Sequence, residues 1–421
     1  MKLPLTLLAG AAIVLSASLT AQNIKDNELS YVYVQLPKEP LDKSLVNYQS
    51  NVVMTYFADN AAKKADYDAK MKIANEQYDR DMADWKVEDA NAQARYDKEM
   101  EEYNKKSGVE KLAEKKLLNE GKPVRQHPQQ PYRNNPPEPN IKKEYDTQLL
   151  ASSYLRLDGF TNAPENAVII TATLYGFDCI QPHLVTEQKN MTKYVDGKSQ
   201  AYTSTFYHYE TSYKHPMSVK VEIPGKGVIF NNVIDVFNNY KVASTPTSEN
   251  KLPVNFDPVA YVQSLEEKTL VENLNFISTL INDKYGYARI TRKTELNNVE
   301  SKKMNYDDYQ SAYDNASAGY KMLSSDKTAA TVKLKLAIDT WEKALLESNP
   351  NDKKARVDAG VTMATRFNLA EAYIMLGDYT NAEAQITKIN ASDPGKKEKA
   401  RALELNALLI DSRVRENAGK N

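Results

Sequence analysis

Few residues of this sequence are placed for chemistry. His208 and His215 lie near Glu210 and would offer a metal ion nitrogen and carboxylate ligands, but no third strong ligand is signalled. The single cysteine, Cys179, excludes an internal disulfide framework and a multi-cysteine zinc site. The turn at 224–227, Pro-Gly-Lys-Gly, lacks the upstream glycine and the Ser/Thr of a phosphate-binding loop. We therefore expect no catalytic residue, no cofactor, no metal site and no enzymatic activity.

Composition limits the class of partner. The 421 residues include 55 Lys and Arg and 56 Asp and Glu, so the formal net charge is −1. Because binding to phosphates requires a basic excess, this balance argues against nucleic acid as the main partner. The length is that of two or three domains. With 14 glycines against 27 tyrosines, the chain also has few loops suited to cradling phosphate.

The segment 1–21 is typical of a cleavable secretory signal. Lys2 precedes an uncharged stretch at 3–19, and Ala21 stands before a polar segment. We expect cleavage after Ala21, with cleavage after Ser18 as the alternative. No later stretch is long and apolar enough for a transmembrane segment, so we expect an exported protein of the periplasm or the outer membrane.

Residues 60–106 contain neither glycine nor proline and are rich in Ala, Glu, Lys and Asp, which predicts one long helix. Its apolar side chains recur at spacings of three and four, as in a coiled coil, and the phrase Tyr-Asp-x-x-Met begins at 67, 78 and 96. Such steps keep the apolar stripe on one helix face. The candidate contact stripe is Tyr67, Met71, Tyr78, Met82, Trp85, Tyr96, Met100 and Tyr103.

A proline-rich segment follows this helix. Residues 122–140 hold six prolines, which predicts an extended, polyproline-like strap. Together with a short helix over 109–120, the strap is long enough to retrace a helix of about 70 Å. We expect 60–145 to be one inserted arm whose stripe is covered by the strap or by a partner. The alternative is a disordered linker.

The rest of the chain predicts an α+β multidomain protein. Residues 22–59 and 146–240 contain β-rich runs and are expected to share one β-sheet domain. A linker is expected at 241–256 and an α-helical domain at 257–421, where residues 288–292 fit a short strand or a loop. The strand candidates of the second β region are 149–157, 167–177, 202–213 and 217–223.

One motif near the C-terminus is recognisable. Residues 368–373, Asn-Leu-Ala-Glu-Ala-Tyr, are followed by Gly377, Ala382 and Pro394. On these residues, 363–394 resembles a tetratricopeptide repeat. The resemblance implies two helices that turn at Gly377 and pack closely at Ala382, in a domain that binds peptides or proteins. In that family the first helix lines a groove, and the candidate protein-binding groove is Ala364, Phe367, Asn368, Glu371, Ile374 and Met375.

For that groove, the alternative is that Phe367, Ile374 and Met375 are buried against a neighbouring helix.

The Ala-Gln pair at 21–22 resembles the signal ends of exported proteins of the Bacteroidota. We expect an exported, non-enzymatic protein-interaction scaffold, an accessory component of a cell-envelope or outer-membrane assembly, whose partners are other envelope proteins. The alternative is a glycan-binding protein or hydrolase with its site in the Tyr-rich β domain.

Overall fold

A computed structural model describes residues 22–113, 122–252 and 254–420. The predicted signal at 1–21 lies outside the described residues. The structure confirms the α+β class, because β-sheets in the first half of the chain are followed by several helices in the second.

The central sheet has five strands in the order β3-β2-β4-β8-β9. Strand β2 runs parallel to β3 and β4, whereas β8 is antiparallel to both of its neighbours, β4 and β9. Two helices, α3 (Thr147–Tyr154) and α5 (Pro258–Tyr285), share a hydrophobic core with this sheet. The strands are β2 (Asn47–Met54), β3 (Thr161–Asn162), β4 (Ala167–Leu174), β8 (Met217–Ile223) and β9 (Gly227–Val233).

A second sheet is built on the long strand β7 (Lys198–Lys214). Strand β6 (His183–Val195) pairs with β7 through a two-residue turn at Asp196 and Gly197, whose φ angles are 50° and 76°. Positive φ at both positions is the geometry of the tight hairpin turn that Asp-Gly favours. The remaining elements here are β5 (Asp178–Cys179), α4 (Asp235–Asn238), β10 (Lys241–Ser244) and β11 (Ser248–Glu249).

The C-terminal unit combines helices with a two-stranded ribbon. Strand β1 (Asn23–Val34) pairs antiparallel with β12 (Arg289–Glu300) along its whole length. The ribbon and the helices share one core, in which Tyr309, Tyr320 and Trp341 are fully buried. The helices are α6 (Asp307–Met322), α7 (Lys327–Leu345), α8 (Ala359–Leu376), α9 (Tyr379–Ala391) and α10 (Lys396–Ala418).

The outgoing part of the arm is a single helix, as the sequence predicts for 60–106. Helix α1 spans Phe57–Lys105, 49 residues, and is followed by the short helix α2 (Gly108–Ala113). The rest of the short helix predicted over 109–120 lies outside the described residues. The return segment 122–146 contains neither helix nor strand, as expected for a polyproline-like strap.

Several predicted elements are wrong. Strand β1 does not join the sheet of β2, because its partner is β12 in the C-terminal unit. The predicted strand at 149–157 is helix α3, which begins where the Asp146 carboxylate accepts a hydrogen bond from the Leu149 amide. Residues 241–256 are not a plain linker, since β10 and β11 pair with β7.

The expected domain boundary at 257 also differs from the packing. Helix α5 lies in the α-helical region predicted for 257–421, yet its Leu274, Ile277 and Ile281 belong to the core of the central sheet. An amphipathic helix packs wherever an apolar surface is available, and helical composition alone does not say which core it joins. The short strand or loop at 288–292 proves to be the first part of β12.

Candidate interaction surfaces

The apolar stripe of the arm is half-buried. All eight predicted stripe residues are partly covered, and Ala92 between them is buried. The opposite face of α1 is exposed, for instance at Ile73 and Val87. The stripe is therefore the side of the arm on which a cover lies.

The proline-rich strap is that cover. The Trp85 indole Nε1 donates a hydrogen bond to the Pro128 carbonyl oxygen at 3.0 Å. Arg125 forms an ion pair with Asp89 at 2.8 Å, and the Arg133 guanidinium lies 5.0 Å from the centre of the Tyr78 ring. These contacts place the strap antiparallel to α1. Of the six strap prolines, the half-buried ones are Pro123, Pro128, Pro131, Pro136 and Pro139.

A buried asparagine fixes the root of the arm. The Asn60 amide donates to the Lys142 carbonyl at 2.7 Å and accepts from the Lys142 backbone N–H at 3.0 Å. It also donates to the Glu144 carboxylate at 2.9 Å, and this bond lowers the pKa of Glu144. The Tyr56 hydroxyl donates to the Lys143 carbonyl at 2.9 Å. Residues 142–144, which follow the strap, are thus tied to the start of α1 through their backbone groups and through the Glu144 side chain.

The predicted groove on α8 is not open. Ala364, Phe367, Asn368, Glu371 and Ile374 are buried and Met375 is half-buried. The cover is the β1–β12 ribbon, which the sequence analysis did not place here. The Asn368 amide donates to the Asn297 carbonyl at 2.8 Å and accepts from the Asn297 N–H at 2.9 Å. The groove is therefore wrong as a free surface, because the chain fills it with its own extended segment.

Glu371 is the polar centre of this contact. Its carboxylate accepts hydrogen bonds from Arg292 at 2.6 Å and 3.1 Å, from the Tyr31 hydroxyl at 2.6 Å and from Thr294 at 3.1 Å. Burial opposes the ionisation of Glu371, but the hydrogen bonds and charge of Arg292 outweigh it and lower the pKa of the carboxyl. Burial raises the pKa of Tyr31, so this hydroxyl stays a donor.

Two clefts remain at the ends of the ribbon. One, of about 610 Å³, lies beside Tyr33, Met375 and Tyr379. The other, of about 240 Å³, lies beside Ile24 and Arg401. Ile374 and Met375 line the first cleft, and Ala364 and Phe367 line the second. Four of the six predicted groove residues therefore line two separate clefts instead of one continuous groove.

The residues considered for chemistry do not converge. His208 lies 3.9 Å from Glu210, whereas His215 is buried against the Phe177 ring, and burial lowers the pKa of His215 to about 4. Burial raises the pKa of the Cys179 thiol, which contacts Thr211. In the described ranges, no group of three or more His, Cys, Asp and Glu side chains is arranged to hold a metal ion.

Two tyrosines of strand β7, Tyr209 and Tyr213, pack on other aromatic rings. Tyr209 stacks on Phe256 with ring centres 3.9 Å apart, and Phe256 in turn contacts Tyr261. Tyr213 lies 5.8 Å from Phe177. The stack of Tyr209 on Phe256 joins β7 to the segment that leads into α5.

Comparison with models of known protein families, with curated proteins and with solved structures gives no match to this chain. Across the residues that the structure describes, no helix has the length and apolar character required to cross a membrane.

Proposed function

We propose that this chain is an exported, non-enzymatic protein-interaction scaffold, an accessory component of a cell-envelope or outer-membrane assembly, in which the arm acts as a rigid spacer. The arm carries the proposal. Its helix of 49 residues is about 73 Å long, and its apolar stripe is occupied by the strap of the same chain. Because the strap already covers the stripe, the stripe is not free to bind a partner. The arm would then serve an assembly through its length and direction.

The length of the arm is not needed for folding of the rest. Its root residue Tyr56 belongs to the core of the central sheet, but the stripe residues from Tyr67 to Tyr103 belong to neither hydrophobic core. Because the stripe contributes to neither core, the length of the arm favours a role outside the folding of the rest of the chain. The clamp of Asn60 on Lys142 closes the base of the arm, and the Lys142 ammonium donates a hydrogen bond to the Tyr175 carbonyl, which ties that base to the β domain.

The C-terminal unit is the second part of the proposed scaffold. We infer that 363–394 is a tetratricopeptide-like unit, since α8 ends at Gly377 with φ 78° and Ala382 is fully buried. With the face of α8 filled by the ribbon, binding through this unit would use the clefts beside Met375 or Phe367. The signal-like residues 1–21 support export, and envelope proteins are the partners that export makes available.

A length variant tests the spacer role. Deleting 78–88 removes three helical turns, and deleting 128–132 at the same time removes a matching length of strap. The matched control keeps the length and changes the exposed face, as Ile73→Gln with Val87→Gln. Chemical cross-linking in native envelopes, with mass spectrometry, records the neighbours of each variant.

A spacer predicts that the shortened arm loses cross-links formed at its far end while the surface variant keeps them. Equal cross-link patterns for the shortened arm and the wild type would contradict the spacer role. Loss in the surface variant alone would make the exposed face a docking site and also reject the spacer. Recovery of the chain from the cytoplasm with residues 1–21 attached would reject the exported scaffold altogether.

A further inference from the structure

Strand β6 forms an outer edge of the second sheet. All 13 of its residues pair with β7 in one unbroken register, from His183↔Glu210 to Val195↔Lys198. Within the described part of the chain, no strand pairs with its other side. Proteins usually protect so long an edge with charged side chains, proline or a bulge; β6 carries Glu187, Lys189 and Lys193 but has no proline and no bulge. The edge is therefore suited to accept another strand.

The ladder shows which backbone groups point outward. On the far side of β7, the Thr205 and Tyr209 carbonyls accept hydrogen bonds from Asn250 and Thr245. Odd-numbered residues of β7 thus point away from β6, and even-numbered residues bond to it. Even-numbered β7 residues oppose odd-numbered β6 residues. The β6 residues whose N–H and C=O groups point outward are accordingly Leu184, Thr186, Gln188, Asn190, Thr192 and Tyr194.

We propose that β6 binds β6 of a second copy of this chain, antiparallel, about a two-fold axis at Gln188. In this pairing Gln188 meets Gln188 of the second copy, and Thr186 meets Asn190, through outward-pointing backbone groups. Odd-numbered residues then form the closely spaced pairs between those hydrogen bonds. Glu187 lies opposite Lys189 of the second copy, and Val185 lies opposite Met191.

The charges on β6 favour this register over its neighbours. Glu187 and Lys189 lie on the same face of the strand, 2.8 Å apart, with about half of each side chain exposed. The two-fold axis at Gln188 places Glu187 of each copy opposite Lys189 of the other, so the contact contains two pairs of opposite charge. Moving the axis to residue 187 would oppose two Glu187, and moving it to 189 would oppose two Lys189. Like charges directly opposite one another destabilise a strand pair.

The outer half of the hairpin also lacks a third strand. Strand β11 pairs with Phe206 and Tyr207 of β7 and Asn250 bonds to Thr205, so residues 189–195 and 198–204 form a two-stranded ribbon. Both of its faces are largely exposed, with Tyr194 at 79%. A two-stranded hairpin is at best marginally stable in water. Pairing of two copies would give this ribbon four strands, and it does not depend on the scaffold function proposed above.

A charge reversal and its compensation test the contact. Sedimentation equilibrium of residues 22–421 measures the dimer dissociation constant. Glu187→Lys places four lysines around the axis, and we expect dimerisation to weaken about tenfold or more. The double variant Glu187→Lys with Lys189→Glu restores opposite charges across the axis, so its dissociation constant should return to within about threefold of the wild type.

A proline variant gives an independent reading. The Gln188 N–H points away from β7, so Gln188→Pro blocks the new ladder while leaving the β6–β7 bonds intact. We expect a monomer with an unchanged circular dichroism spectrum. A wild-type chain that stays monomeric throughout would overturn the proposal. So would a dimer that Gln188→Pro leaves intact, or a double variant as weak as Glu187→Lys alone.

Discussion

Helices α1 and α8 are both covered by an extended segment of the same chain, but to very different degrees. On α1 the strap covers one side, and the buried residues of this helix are Asn60 and Ala92. On α8 the ribbon and the neighbouring helices bury most of the helix, from Val361 to Ile374. Cover on one side leaves a helix as a projecting rod, whereas cover on all sides makes it a core element.

The two covers share a device. In each, a buried asparagine of the helix holds the extended segment by one backbone N–H and one backbone carbonyl: Asn60 holds Lys142, and Asn368 holds Asn297. A side-chain amide offers a donor and an acceptor together, so it satisfies a backbone that has no neighbouring strand there. The contact on α8 also contains a buried charge, Glu371 of the helix, and α1 has no buried charge under the strap. Substitutions in these contacts should therefore lower the free energy of unfolding by different amounts.

The largest effect is expected for Arg292→Ala. It leaves the buried Glu371 carboxylate without its cation, and such a loss costs about 3–5 kcal/mol. Lys293→Ala on the same strand is the control, because its pair with Glu28 is exposed and worth less than about 1 kcal/mol. Urea unfolding of both variants measures the difference. Equal free energies of unfolding would show that the ribbon is not anchored at Glu371.

Glu371→Gln should cost about 2–3 kcal/mol near pH 7, since it removes the charge from three hydrogen-bond partners. The pKa of Glu371 is lowered in the folded chain. Its contribution is therefore present above the pKa of the unfolded state and is lost as the pH falls through the folded value. The gap between wild type and variant should narrow from pH 6 to pH 3. A gap that is constant over this range would mean that folding does not lower the pKa of Glu371.

Asn60→Ala should cost about 1–3 kcal/mol, because the Lys142 N–H and carbonyl lose their partner in a buried site. The loss is local to the root of the arm. Hydrogen exchange should show faster exchange at 57–64 and 142–145, with the C-terminal unit unchanged. Lys63→Ala, an exposed substitution one turn along, is the control. Unaltered protection at the root in Asn60→Ala would reject the clamp.

The smallest effect is expected at Arg125. Its pair with Asp89 is about one quarter exposed, so Arg125→Ala should cost about 0.2–1 kcal/mol. The readout is acrylamide quenching of Trp85 in a Trp341→Phe background, which should increase modestly. Deleting 122–140 should increase it much more. Quenching that is already maximal in the parent chain would mean that the strap does not cover Trp85.

Sequence reasoning succeeded where a pattern was local. The stripe on α1 recurs at spacings of three and four, and six prolines are concentrated in 122–140. The first pattern predicts a helix and the second an extended strap. It failed where a partner is distant in sequence. Strand β1 ends at Val34 and β12 begins only at Arg289, and no period in Asn23–Val34 indicates that partner.

The same limit explains the groove on α8. Asn368 and Glu371 are groove candidates only through the proposed repeat resemblance, and their polarity fits a ligand or a covering segment equally well. Thr294 and Arg292 alternate with Lys293 along β12, so polar side chains facing α8 are separated by one facing solvent. That alternation was the available signal, but it becomes informative once the strand is known to lie on α8.

The central claim is that the arm is one straight rod held by its own strap. Spin labels at Lys63→Cys and Glu101→Cys, in a Cys179→Ser background, lie on exposed positions near the two ends of α1. Double electron–electron resonance should give one narrow distance distribution centred at about 57 Å, the rise of a continuous helix between the two labels. A broad distribution centred at shorter distances would contradict the rod and, with it, the spacer role.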